Sequence, residues 1–118
     1  FIGSPKMNII KINKDQIINS NTIKLFTNKI TFENFNFNDE VYLGIRPEDI
    51  SLESDRDIQL DVKVDLIENL GFEKIIYAKF LENQIIIKSS QDFINQPLNI
   101  SFSKDKVLFF DKDKNRIR

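Results

Sequence analysis

The chain has 118 residues, enough for one domain, or two fused sub-lobes, to bury an apolar core without disulfides or a metal. Its 17 Lys and Arg against 18 Asp and Glu leave a formal net charge of -1, so no surplus of positive charge is available to neutralise a nucleic-acid backbone or an anionic bilayer. With no Cys and no His, thiolate chemistry, zinc-thiolate sites and the commonest general base are excluded.

Taken in chain order, residues 7–12, 17–26, 30–37 and 41–45 alternate apolar and polar side chains with the two-residue period of half-buried strands. The strongest case is 58–66, where every second residue is aliphatic while Gln59, Asp61, Lys63 and Asp65 point the other way. Asn69-Leu70-Gly71-Phe72 then reads as a hairpin turn, because Gly71 can take a positive φ. A strand over 74–80, a turn at Leu81-Glu82-Asn83-Gln84 and strands over 84–88, 98–102 and 107–110 complete the pattern. The best helical candidate, 90–96, is short and stopped by Pro97, which has no backbone N–H to donate. Roughly eight or nine short strands predict an all-β barrel or sandwich. The apolar runs are too short to span a bilayer, and no signal peptide is visible. A start at Phe1 rather than Met reads as a piece of a longer protein.

Several patterns imitate sites without completing them. Gly3, Gly44 and Gly71 are too far apart to form a phosphate-cradling loop, which needs closely spaced glycines so that backbone amides converge on the phosphates. Asp111-Lys112-Asp113-Lys114-Asn115 copies the opening of a calcium loop, but Arg116 stands where glycine is required, so a polar hairpin tip is the better reading. Glu48-Asp49 and Asp55/Asp57 are carboxylate pairs with no second functional group beside them, and exposed acidic turns are commoner than acid/base catalysts. The 11 Phe could form a base-stacking platform, yet without an electrostatic partner for phosphates they are better read as core, in particular Phe26, Phe32, Phe80, Phe102 and Phe109. No catalytic, cofactor or metal residue is predicted.

The most specific stretch is Leu43-Gly44-Ile45-Arg46-Pro47-Glu48-Asp49-Ile50. Physically it is a strand ended by Pro47, with Glu48 and Asp49 suited to the positive end of a short helical turn. The Arg46 guanidinium could bridge several carbonyls or carboxylates and pin two strands or lobes together; the alternative is an exposed Arg at a strand end. Phe35 and Phe37 fall on one face of the predicted 30–37 strand, with Ile30 and Phe32 on the other, so one face is available to a partner or a second lobe.

Four blocks in order carry a family resemblance: Phe1-Ile2-Gly3-Ser4-Pro5-Lys6-Met7-Asn8, Leu43-Gly44-Ile45-Arg46-Pro47-Glu48, Glu68-Asn69-Leu70-Gly71 and Leu108-Phe109-Phe110-Asp111. Together they resemble the C-terminal regulatory domain, or TOBE domain, of maltose-type ABC importer ATPases. The resemblance implies an OB-fold-like barrel elaborated with extra strands, carried behind a nucleotide-binding domain that would lie upstream. It implies no chemistry here, with ATP and Mg bound elsewhere in the parent subunit. It implies a homodimeric contact with the same domain of a second subunit, permease partners through the parent, regulators in some members, and a place at the cytoplasmic face of the membrane. The Ser4-Pro5-x-Met7-Asn8 form leans towards importers of sugars or sugar phosphates. The chain departs from the family where Asp49 replaces a His often seen after the Pro-Glu pair, where Asp113-Lys114-Asn115 lacks the usual Gly, and over 13–38, which aligns with nothing. Two other classes stay open: an OB-fold binding module for single-stranded nucleic acid or an oligosaccharide, and a small β enzyme using carboxylates.

Overall fold

The computed structural model describes residues 6–25, 28–33, 35–37, 39–91, 98–113 and 115–117. Among these the regular structure is strand, interrupted by three short 3-10 turns. Strands β1 (Asn8–Ile12), β5 (Val41–Ile45), β10 (Leu108–Phe110) and β11 (Arg116–Ile117) form one antiparallel sheet in the order β1-β5-β10-β11. Strands β2 (Ile17–Asn19), β3 (Thr22–Leu25) and β4 (Asn28–Thr31) form a small three-stranded meander. Strands β6 (Ile58–Asn69), β7 (Lys74–Phe80), β8 (Asn83–Ser89) and β9 (Leu98–Phe102) form the third sheet in the order β8-β7-β6-β9. The result is the expected all-β architecture, consistent with an OB-fold-like barrel carrying extra strands.

Alternation explains why the sheets close on one interior. Ile10 and Ile12 of β1, Leu43 and Ile45 of β5, Ile23 and Leu25 of β3, and Ile58, Leu60 and Val62 of β6 all face a single apolar cluster. Burying a side chain of this size contributes about 1.5–3 kcal/mol relative to exposure, so the cluster is the main source of stability. Phe80, Phe102 and Phe109 are buried in it as the sequence implied, while Phe26 lies outside the described residues.

The long strand β6 serves two neighbours. Its first half pairs with β9, from Ile58 opposite Phe102 to Val62 opposite Leu98, and its second half pairs with β7. A bulge between Val64 and Leu66 changes the side-chain phase: Val64 stands opposite core-facing Ala78, but Leu66 stands opposite Tyr77 on the outer face. Strict alternation puts Leu66 with Val64; the extra residue, Asp65, turns it outward, and Leu66 is 60% exposed.

Two other expectations change. The predicted strand 17–26 is a hairpin, because Asn19 accepts the backbone N–H of Asn21 through its side chain at 3.1 Å and turns the chain between β2 and β3. The predicted strand 30–37 ends at Thr31; beyond it Phe35 N–H donates to the Phe32 carbonyl at 3.1 Å and Phe37 N–H to the Ser20 carbonyl at 2.5 Å. The helical candidate over 90–96 falls largely outside the described residues.

Candidate functional site

The Arg46-Pro47-Glu48 turn leaves β5 as a 3-10 turn over Pro47–Asp49, with the Asp49 N–H donating to the Arg46 carbonyl at 3.0 Å. Pro47 occupies the first turn, where its fixed φ and missing N–H cost nothing, and it is buried. Glu48 and Arg46 are exposed. Among the described residues the Arg46 guanidinium enters none of the ion pairs. Pro47, not Arg46, is the member that packs inward.

Gly44, in the same motif, has a role that alternation did not reveal. A Cβ added there would lie 2.5 Å from Met7 Sδ and 2.8 Å from Phe110 Cε2. These two side chains fold across the strand where Gly44 leaves room, between Ile9 of β1 and Leu108 of β10.

Phe35 and Phe37 do not share one face of a strand, because β4 ends at Thr31. They gather with Phe32 around Phe109: Phe32 meets Phe109 edge-on at 4.9 Å between centroids, Phe35 lies 4.5 Å from both Phe37 and Phe109, and Phe37 is 5.1 Å from Phe109. Such pairs contribute about 0.5–1.5 kcal/mol beyond area burial. Phe37 is only 5% exposed and belongs to the core, so it is not available to a partner; the coil after β4, not a strand, delivers it there. Phe35 is half-buried and lines a cleft of about 400 Å³ with Phe32, Val107, Ile117, Lys104 and Arg116.

Gly71 adopts φ +92°, as the hairpin reading required, and its N–H donates to the Asn69 side chain at 2.9 Å. The turn leaves Phe72 81% and Leu70 46% exposed at the end of the β6–β7 hairpin.

The acidic pairs organise loops. Asp55 accepts from the Ser51 hydroxyl at 3.0 Å and lies 3.3 Å from the buried Ser101 hydroxyl. The Ser51 hydrogen bond holds the Asp55 carboxyl below the usual aspartate value, with Arg56 adding to it. Asp57 accepts the Lys104 backbone N–H at 3.2 Å. Asp111 accepts the N–H groups of Asp113 and Asn115, each at 2.9 Å, which makes the calcium-like stretch the tip of the β10–β11 hairpin. Among the described residues no group of three His, Cys, Asp or Glu is placed to hold a metal ion, and no helix is long and apolar enough to cross a membrane.

Sequence reasoning quoted Asn8 in a motif but missed its part in the fold. Asn8 is 3% exposed, and its side-chain amide both donates to the Ile86 carbonyl and accepts the Ile86 N–H. An isolated Asn on the inward face of an alternating strand was the available signal.

No protein-family model matches the chain. It is 32% identical over 127 aligned positions to the oligosaccharides import ATP-binding protein MsmX of Bacillus subtilis, covering 96% of this chain and 34% of that protein. It is 32% identical over 83 positions to the maltose/maltodextrin import ATP-binding protein MalK of Aliivibrio fischeri, covering 65% of this chain and 22% of that protein. It is 25% identical over 122 positions to the uncharacterized ABC transporter ATP-binding protein YcjV of Escherichia coli O157:H7, covering 96% of this chain and 34% of that protein. The chain thus spans at most about a third of the length of these relatives. Over most of its length it is a relative of the ATP-binding subunits of sugar ABC importers, consistent with the C-terminal region that its motifs resemble.

Proposed function

We propose that this chain is a regulatory and dimerisation domain of the ATP-hydrolysing subunit of a bacterial importer for sugars or sugar phosphates, and that it carries no catalytic site of its own. The observation behind this reading is that 96% of the chain matches about a third of an oligosaccharide-import ATP-binding protein. The widely separated glycines of the chain cannot make a phosphate loop, so ATP and Mg would be bound by an upstream nucleotide-binding domain of the parent. The partners in this reading are the same domain of a second subunit, that upstream domain, the permease subunits and a regulatory protein. The parent would sit at the cytoplasmic face of the membrane. Arg46, Glu48 and the exposed hairpin end at Gly71 are candidate contacts, with Pro47 holding the first two in place. Nucleic acid is not among the partners, since the charge balance offers no phosphate-binding surplus.

Two measurements on the purified chain test the reading. Titration with Mg-ATP in a calorimeter should give no binding heat, and sedimentation velocity across a wide concentration range should show a reversible monomer–dimer equilibrium. ATP turnover, or a strictly monomeric chain at high concentration, would overturn it.

A further inference from the structure

The cleft beside Phe35 carries polar groups that the barrel does not use. It opens where β4 ends at Thr31 and the coil bearing Phe32 and Phe35 passes the 3-10 turn over Lys104–Lys106 and the β10–β11 hairpin. Phe32 and Phe35 are half-buried: both rings lean on Phe109, and both line the cleft. Around them stand two carboxylates, Glu33 and Asp105, and two cations, Lys104 and Arg116. Among the described residues none of these four forms an ion pair. Lys104 is held in place all the same. Its backbone N–H donates to Asp57 at 3.2 Å and its ammonium to the Thr31 carbonyl at 3.1 Å, which leaves two of the three ammonium donors for a further acceptor.

An aromatic floor with a rim of unpaired donors and acceptors suits a ligand with one apolar face, a periphery of hydroxyls and no net charge. A charged ligand is attracted by one pair on the rim and repelled by the other. Hydroxyls, in contrast, can accept from Lys104 and Arg116 and donate to Glu33 and Asp105 at once. The C–H face of a pyranose ring packs flat on an aromatic ring. The cleft volume of about 400 Å³ falls within the roughly 300–1,000 Å³ usual for small-molecule sites. We propose that this cleft binds a neutral mono- or disaccharide, its C–H face on Phe32 and Phe35 and its hydroxyls on the four charged side chains. The cleft lies between β4 of the small meander and β10 and β11 of the first sheet, which no strand ladder joins among the described residues. A bound saccharide therefore ties these two sheets together and stabilises the barrel. Such binding goes beyond the importer reading and depends on neither dimerisation nor ATP.

Backbone-amide NMR of the isotope-labelled chain, titrated with maltose, tests this site. The signals of Glu33, Phe35, Lys104 and Arg116 should move together with a dissociation constant on the order of 1 mM, as expected of an open site that leaves part of the ligand in water. The signal of Gly71, outside the cleft, should stay put. Arg116→Ala and Phe35→Leu should each weaken binding by about fivefold or more, with melting confirming that the barrel is intact. Arg116 is exposed, so its variant keeps the core even where Phe35→Leu disturbs it. Glucose 6-phosphate should bind more weakly than glucose, because its phosphate meets Glu33 and Asp105. The saccharide site is overturned by unmoved signals at about 10 mM maltose, by movement centred outside the cleft, or by tighter binding of glucose 6-phosphate or adenosine. Unaltered binding by the folded variants overturns it too. None of these outcomes touches the importer reading, which falls only on the ATP and sedimentation measurements above.

Discussion

The side-chain amide of Asn8 stands in for a strand beside Ile86: its Nδ2 donates to the Ile86 carbonyl at 2.8 Å and its Oδ1 accepts the Ile86 N–H at 2.7 Å. One buried side chain thereby joins β1 of the first sheet to β8 of the third, where no backbone ladder connects them. A carboxamide presents a donor and an acceptor in this spacing, whereas an ionised carboxylate only accepts. Asn8→Ala should lower stability by about 1–3 kcal/mol by leaving polar groups of Ile86 unpaired. Asn8→Asp should cost at least as much, because a carboxylate cannot donate to the carbonyl. Urea denaturation at neutral pH measures both, and unchanged midpoints would show that this junction carries little energy.

Gly44 and Gly71 should respond differently to the same substitution. At Gly44 a methyl group meets Met7 Sδ and the Phe110 ring inside 3 Å, so Gly44→Ala is an overpacking change costing about 1–3 kcal/mol. At Gly71 nothing lies within 4 Å of the added Cβ, but φ is +92°, so Gly71→Ala costs about 1–2 kcal/mol through backbone strain alone. Met7→Ala should partly relieve the Gly44 variant and leave the Gly71 variant unaffected. Thermal melts of the three single and two double variants check this, and additive behaviour at Gly44 would argue against the close approach.

How far the fold could be read from the residues depends on what each signal measures. Strands 41–45, 74–80 and 98–102 match their observed bounds because turn-forming residues, among them Pro47, Gly71 and Pro97, stand close outside them. The Gly71 turn was legible because only its backbone conformation needed explaining. Alternation cannot register a bulge, so it assigns Leu66 to the wrong face. Nor can it separate a strand from a coil that returns to the core: Phe35 and Phe37 keep the two-residue spacing, yet a long-range bond from Phe37 N–H to the Ser20 carbonyl sets their position. Asn8 and Gly44 depend on partners distant in the chain, which no local window contains.

Ser51 should control the titration of Asp55. Its hydroxyl is the largest cause of the lowered Asp55 pKa, ahead of the weaker attraction of Arg56. A carboxylate whose pKa is depressed by folding contributes stability above its unfolded pKa, and that contribution is lost as pH falls through the folded value. Ser51→Ala should therefore move the Asp55 titration up towards the usual aspartate value and shrink the stability lost on acidification. Carboxyl-carbon NMR titration reads the shift directly. An unmoved Asp55 titration would mean that the Ser51 contact does not persist in solution.

Arg46 is the residue on which the motif and the geometry diverge, and its variant has a split outcome. The guanidinium is exposed and outside the chain's ion pairs among the described residues, whereas its neighbour Pro47 is buried. Surface substitutions away from caps, cavities and buried networks usually change stability by less than about 0.5 kcal/mol. Arg46→Ala should accordingly leave the melting temperature of the isolated chain unchanged, while Pro47→Ala, which frees a fixed φ at a buried turn, should lower it. If Arg46 serves a contact outside this chain, its loss should appear only when the parent subunit assembles, as weaker retention of the permease subunits or of the second ATPase subunit on co-purification. A lowered melting temperature for Arg46→Ala in the isolated chain would place its role inside the barrel. An unchanged co-purification yield would remove Arg46 from the interface and leave Pro47 as the working member of the turn.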